Sequence, residues 1–331
     1  PLSYSYLVDA LSAGVTTVAE HYYFSAGVAA AIEEMGMRGF VGETIADLGG
    51  AFPSKETWPQ VKKSLQGKSR NPKDKIQPVL APHAMDTVTP ELLTEMADFA
   101  KAENLPLHMH LSQSESEWKT VQKHHQMTPV QLAEKCGALS EKTLAVHLLH
   151  LGEKDLACLK DSGTHAGYCP SSQLLYERSA RINDFYEWEI PVLVGTDCAA
   201  SCDHADVLAE ARTAAFIGIA HNAELRLRET QWFFDSICDR AYQFWFGQKP
   251  FTPGAPADVV FVERGLLAEP VNDPLNNLFF SATARRVRHV MIGGVFCLWD
   301  RQVVHLDMED ATTAYRQAVN KITRAVEAAR K

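Results

Sequence analysis

Five histidines, one tyrosine and one aspartate recur at the same kind of place in this sequence, the C-terminal ends of short apolar runs. His21 ends the first run and His83 the third, in Ala81-Pro82-His83-Ala84. His108 and His110 end the fourth, His147 the fifth, Tyr168 the sixth, and Asp197 the seventh, in Gly195-Thr196-Asp197. A lone histidine of this sort is ordinarily a satisfied core or surface group. In register with one carboxylate, the set has the composition of a catalytic zinc site or that of a similar divalent ion, which keeps a position open for water. Such an ion lowers the pKa of its water to about 7 and supplies hydroxide at neutral pH. His108 and His110 are two apart and point to the same face of a strand. Either both chelate one ion, or His108 lies one layer deeper and braces its neighbour.

These residues can act together only if the runs are strands of one parallel sheet whose ends share a mouth. The expected strands are Val15 to Tyr23, Met37 to Thr44, Ile76 to His83, Leu105 to Ser112, Thr143 to Leu149, Thr164 to Cys169 and Pro191 to Thr196. Segments of helical period alternate with them at Ser25 to Gly36, Pro90 to Glu103, Thr128 to Cys136 and Glu153 to Ser162. The alternation predicts an α/β chain, a (β/α)8 TIM-type barrel with its first strand missing. After Thr196 it stops: Ala205 to Ala220 and Thr230 to Phe246 read as two helices with no strand between them. A Pro-rich linker from Lys249 to Pro256 leads to strands at Ala257 to Val262 and Arg286 to Val304, the latter turning at Gly293-Gly294. The expected division is a barrel over 1–250, part of a small β-sandwich over 251–306, and a C-terminal helix over 307–331.

Composition excludes several functions. Hydrophobic residues at 46% and charged residues at 22% are those of a packed globular chain. A formal net charge of -9 repels phosphate backbones, so nucleic acid is not an expected partner. No apolar run of about 18 residues exists to enter a membrane. Seven scattered cysteines without a C-x-x-C pair predict reduced thiols and a cytoplasmic setting. Cys198-Ala199-Ala200-Ser201-Cys202 reads as a loop, and His124-His125 as solvated surface. The H-x-E and P-C-x-x-C signature of small cytidine deaminases is absent, as are phosphate-binding and G-x-S-x-G motifs.

Four segments together resemble the amidohydrolase superfamily: His110-Leu111-Ser112 with its acidic cluster, Leu144-Ala145-Val146-His147, Cys169-Pro170-Ser171-Ser172-Gln173, and Gly195-Thr196-Asp197-Cys198-Ala199-Ala200-Ser201. The likeness is to the branch of zinc or iron aminohydrolases that includes adenosine-derivative, guanine and s-triazine deaminases and chlorohydrolases. It extends to Gly14-Val15-Thr16-Thr17, Ala81-Pro82-His83-Ala84, Ala257-Asp258-Val259-Val260 and Val287-Arg288-His289-Val290. The resemblance implies a hydrolase that deaminates a purine, pyrimidine or s-triazine type of heterocycle by attack of hydroxide held on one divalent metal, zinc first and iron second. It implies His110 as a metal ligand, His147 as the group contacting the metal-bound water or substrate, Asp197 as ligand and general base, and His83 as substrate-facing.

Three departures qualify these implications. The family's opening H-x-H ligand pair is absent, because the chain begins near the helix before the second barrel strand. His147, His108 or His21 would have to substitute, and weak metal occupancy is expected. Gln113 stands where the family has the glutamate that protonates the substrate ring; an amide hydrogen-bonds but does not readily donate a proton. Tyr168 and Gln173 replace a histidine and an asparagine, which would reshape the pocket, with Tyr168 and Gln113 facing the substrate. Two alternatives therefore stay open: a leaving group other than ammonia, such as chloride or an amine, or a barrel without turnover. The expected partner is a small heterocycle, and the exposed β-domain remnant leaves homo-oligomerisation open.

Overall fold

Short runs of β-branched and apolar residues lie side by side as parallel strands in a computed structural model that describes residues 2–49, 57–67, 74–221, 230–266, 269–281 and 284–329. The strands are β1 (Thr17–Tyr22), β2 (Arg38–Ile45), β3 (Ile76–Pro78), β4 (Ala81–Pro82), β5 (Leu107–Leu111), β6 (Thr143–His147), β7 (His165–Tyr168) and β8 (Val192–Val194). All seven expected strands form, the third divided into β3 and β4. Pro78 and Pro82 explain the division, since neither has an N–H to give to a ladder. β1, β2 and β3 pair in that order with β4 also on β2, and β5 to β8 pair in sequence. A bridge between Leu80 and Leu107 joins the two halves, supported by the bond from His108 N–H to the Leu80 carbonyl at 2.9 Å.

Register decides which side chains face inward. His110 pairs with Val146, and Val146 with Gly167, so these share the interior face. Met109, Leu111, Ala145 and Ala166 alternate with them and join the large core beneath the surrounding helices. The far edge of β8 meets no further strand among the described residues. Its outward groups are met instead by Ser236, whose carbonyl accepts from Val194 N–H at 3.3 Å, and by Arg240, which donates to the Val192 carbonyl at 3.0 Å. This divides the expected helix over 230–246 into Thr230–Asp235 and Asp239–Phe246.

The second of these helices floors the interior. Phe244 and Trp245 pack on Leu144, Val146, Cys169 and Leu193, and Trp245 stacks on Phe40 at 4.5 Å. Phe40, Leu144 and His165 belong to the first halves of their strands, which places this apolar floor at the N-terminal end, opposite the histidine-bearing ends.

An antiparallel sheet follows, with β9 (Val259–Val262), β10 (Val287–Ile292), β11 (Val295–Trp299) and β12 (Gln302–Val303) in the order β12-β11-β10-β9. Gly293 and Gly294, at φ 62° and 83°, make the two-residue hairpin between β10 and β11, where both positions need left-handed backbone. This sheet shares a core with the helices Leu2–Ser12 and Ser25–Glu34, through Leu7, Leu11, Ile32, Met35, Val290, Ile292 and Leu298. Arg38 of β2 reaches it with a buried ion pair, Nε to Asp258 Oδ2 at 2.8 Å, and Asp258 Oδ1 also accepts from Gly293 N–H at 2.6 Å. The helix Met308–Ala329 buries no residue and exposes Ile322 and Val326. Among the described residues no helix is long and apolar enough to cross a membrane.

Two stability predictions follow from this packing. With side chains only 6% and 4% exposed, Arg38→Leu strands a carboxylate and is expected to cost about 3–5 kcal/mol in urea unfolding, part of which Arg38→Leu with Asp258→Leu restores. His165, against Phe244 at 4.6 Å, has its pKa pushed down to about 4, by burial first and the charge of Arg240 second. The unfolded imidazole titrates near 6.5, so the stability it contributes is present above that pH and is lost as pH falls toward 4. The loss is about 3 kcal/mol for one such group. Melts of His165→Phe between pH 6.5 and 4 should fall less steeply than those of the unsubstituted protein.

Candidate active site

The strand ends bring five histidines from four strand segments, β1, β4, β5 and β6, into one buried cluster. The His21 ring lies 4.6 Å from that of His110, 5.2 Å from His108 and 6.1 Å from His83. The His110 ring lies 5.1 Å from His83 and 5.4 Å from His147. His147 reaches the cluster against its own strand's alternation. It shares parity with Ala145, which faces the helices, but its φ of 83° turns the ring back into the interior. Ser112, Leu148 and Asp197 also take left-handed φ at the same end of the sheet. Such backbone costs a non-glycine residue of order 1–3 kcal/mol and persists where surroundings enforce it.

Hydrogen bonds assign the protons of two imidazoles. Thr87 Oγ1 lies 3.2 Å from the Ala84 carbonyl and 2.7 Å from His83 Nδ1; with its proton on that carbonyl it accepts from His83 Nδ1–H. His110 Nδ1–H donates to the His83 carbonyl at 3.1 Å. In the neutral state each therefore presents an Nε2 lone pair. Burial is the leading reason that all five pKa values fall, that of His108 to about 4 and those of His21 and His110 well below the ordinary value. At His147 the negative charge of Asp197 opposes the shift. Neither nitrogen of His21 has a partner in the protein, and neither does His108 Nδ1.

Asp197 follows β8 and is held at both oxygens. Oδ2 accepts from Ser172 Oγ at 2.5 Å and Oδ1 from Cys198 N–H at 2.7 Å. Tyr6, from the N-terminal helix, donates its hydroxyl to Thr196 Oγ1 at 2.6 Å, tying that helix to the same turn. Gln173 braces the end of β6 by donating to the His147 carbonyl at 3.1 Å. Gln113 is partly buried just past β5, and its N–H donates to Glu117 Oε2 at 2.6 Å. Tyr168 shares the outward parity of Ala166, is fully buried in the main core, and bonds Ser179 Oγ at 2.6 Å, away from the histidines. His124 and His125 are exposed, and residues 198–202 form a loop.

Two buried carboxylates escape the sequence reading. Glu117 accepts from the N–H groups of both Ser112 and Gln113; burial nevertheless pushes it up to about 8, against those bonds. Glu210, on the helix Val207–His221, accepts from Ser171 N–H at 3.0 Å and Ser171 Oγ at 2.5 Å. The signal available was position: each glutamate begins a helix just after a strand-end loop. Among the described residues, Cys202, His204 and Glu210 are the group whose potential ligand atoms all lie within 4.8 Å of one another. Hydrogen bonding accounts for that group without an ion. His204 Nδ1 accepts from Asp206 N–H at 3.2 Å, which places its proton on Nε2, facing Glu210 Oε1 at 3.3 Å.

Comparison with known proteins places this geometry in context. The model of the amidohydrolase family matches residues 3–233. A 5'-deoxyadenosine deaminase of Methanosphaera stadtmanae is 26% identical over 92% of this chain and 72% of its own length. A 5-methylthioadenosine/S-adenosylhomocysteine deaminase of Natronomonas pharaonis is 28% identical over 96% and 75%. In fold, the chain is similar to an adenosine deaminase from Xanthomonas campestris with bound zinc, with TM-score 0.89 and 23% identity over 97% of this chain and 74% of that one. It is also similar to an atrazine chlorohydrolase from Arthrobacter aurescens complexed with zinc, with TM-score 0.80 and 21% identity over 95% and 75%.

Glu210 generates the prediction for this site. Glu210→Ala removes a fully buried acceptor from the N–H and hydroxyl of partly buried Ser171, whereas the His204 donor, 40% exposed, can turn to water. It should cost about 1–3 kcal/mol in unfolding and speed amide exchange in residues 196–205. Glu210→Gln, which keeps the shape, should lose less by both measurements.

Proposed function

The chain belongs to the amidohydrolase family, and on that premise we propose that it is a metal-dependent hydrolase deaminating a nitrogen heterocycle, an adenosine derivative in the first instance. The observation that carries this reading is the convergence of neutral imidazoles, their Nε2 lone pairs facing inward, beside a carboxylate held by Ser172 and Cys198. One divalent cation, zinc first and iron second, fits these nitrogen and carboxylate donors, and the unpartnered buried nitrogens of His21 and His108 fit it as well. When bound, such an ion supplies a water whose pKa is lowered to about 7. The relatives named as deaminases of 5'-modified adenosines support the choice of substrate class.

The chain's own residues divide the remaining work. His110 would hold the cation through Nε2 while the His83 carbonyl fixes its ring. Asp197, its carboxylate aimed by two hydrogen bonds, takes the proton of the attacking water and returns it to the leaving nitrogen. His147 orients the water or substrate, and His83 presents its Nε2 lone pair to a substrate N–H. Gln113 bonds a ring nitrogen without protonating it. That amide favours a second reading, in which the leaving group is chloride or an amine and no ring proton is required.

The test is release of ammonia and, separately, chloride by zinc- and iron-loaded protein, from 5'-deoxyadenosine, 5'-methylthioadenosine, S-adenosylhomocysteine, guanine and atrazine. Ammonia from an adenosine derivative, reduced about 10²-fold or more in Asp197→Asn, is the expected result; chloride release alone favours the second reading, and no product from any substrate overturns both. If the ring must be protonated, Gln113→Glu should raise kcat, by up to about 10²–10⁴-fold. Equal rates for both forms would remove Gln113 from proton transfer.

A further inference from the structure

His21 is 8% exposed, and neither of its ring nitrogens meets a partner in the protein. A neutral imidazole carries one N–H and one lone pair, and leaving such groups buried and unanswered is unfavourable. His108, 9% exposed and 5.2 Å away between ring centres, leaves Nδ1 unanswered too. Around them stand His83 and His110, whose Nδ1 protons are committed to Thr87 and to the His83 carbonyl, so that both turn lone pairs inward. The interior thus holds at least four imidazole lone pairs. A substrate N–H could answer one of them, whereas a divalent cation answers several at once and selects for imidazole nitrogen.

We infer that His21 is a nitrogen ligand of the divalent cation and shares it with His110, so that the ion is gripped from β1 as well as from β5. The inference rests on the metal-dependent reading above and adds to it a donor outside the resemblance-based pair of His110 and Asp197. The two rings already lie 4.6 Å apart and within 27° of parallel. Rotation of the His21 ring about the bond to its Cβ re-aims its unpartnered nitrogens without moving the strands, while His110 keeps its bond to the His83 carbonyl. His108, two residues before His110 and against Trp245 at 6.4 Å, lies toward the apolar floor and supports the His21 ring from below.

The experiment is metal binding rather than turnover. Zinc stoichiometry and affinity are measured after dialysis against a mild chelator, and pulsed EPR of the copper(II)-loaded protein counts coordinated imidazoles. Unsubstituted protein should bind about one equivalent. His21→Gln and His21→Phe should each lose one imidazole from the count and bind zinc about 100-fold more weakly or worse, with near-UV circular dichroism confirming their fold. Should neither variant fold, cadmium-113 to nitrogen-15 couplings in histidine-labelled unsubstituted protein decide: a coupling at His21 supports the inference, and couplings confined to other histidines overturn it. Unchanged count and affinity in the His21 variants, with both lost in His110→Ala, overturn this inference and leave the metal-dependent reading standing. Unsubstituted protein that binds no metal, or His110→Ala that binds as the unsubstituted protein does, overturns both.

Discussion

Several imidazoles share one desolvated interior, and much of the surrounding structure answers that constraint. Protons on adjacent buried rings repel one another and lack water to spread their charge, so the cluster is neutral and each nitrogen needs a defined role. Thr87 and the His83 carbonyl settle two of those roles by accepting Nδ1 protons. Phe244 and Trp245 line the other end of the barrel with apolar surface. The left-handed backbone at His147 belongs to the same arrangement, because regular alternation would have sent that ring outward.

A second layer holds the loops that carry polar groups to the mouth. Glu117 gathers the N–H groups just past β5, and Glu210 gathers Ser171 beyond β7 with His204 beyond β8. Ser172, next to Ser171, in turn steadies Asp197. Acceptors of this kind position a carboxylate more tightly than packing alone, since a displaced buried donor would be left unpaired. On β8, Ser236 and Arg240 do for the strand edge what a neighbouring strand would do, and an unpaired buried edge is avoided.

The legibility of this architecture in the sequence varies with the physics involved. The seven strands are readable because each is a short apolar, β-branched run followed by a different period or a turn, and the strand-end histidines are readable by position. Direction is harder. Tyr168 is expected to face the substrate and instead faces the helices, because one residue of alternation reverses a side chain. His147 is found inside only because its backbone leaves the pleat, and no residue type announces that conformation at a non-glycine position. The break between Asp235 and Asp239 has no Gly or Pro to mark it; the demand of Val194 N–H for the Ser236 carbonyl is tertiary. Glu117 and Glu210 look like ordinary helix-surface residues until burial is known.

The N-terminal helix carries Leu7, Ala10 and Leu11 into a core completed by Val287, Val290, Ile292, Cys297 and Leu298. Those partners are about 280 residues apart along the chain, and at synthesis rates of about 5–20 residues per second the wait between them is on the order of 15 to 60 s. During that interval the first helix can meet Ile32 and Met35 but not the C-terminal sheet, and the part of its apolar face that the sheet covers is open to water or to whatever binds nascent chains. The strands of the barrel can pair with near neighbours as they emerge, whereas this helix closes a loop of about 280 residues onto the C-terminal sheet and so completes its docking late. Because Tyr6 of the same helix holds the turn that bears Asp197, that turn receives its last brace only after the C-terminal sheet has been made.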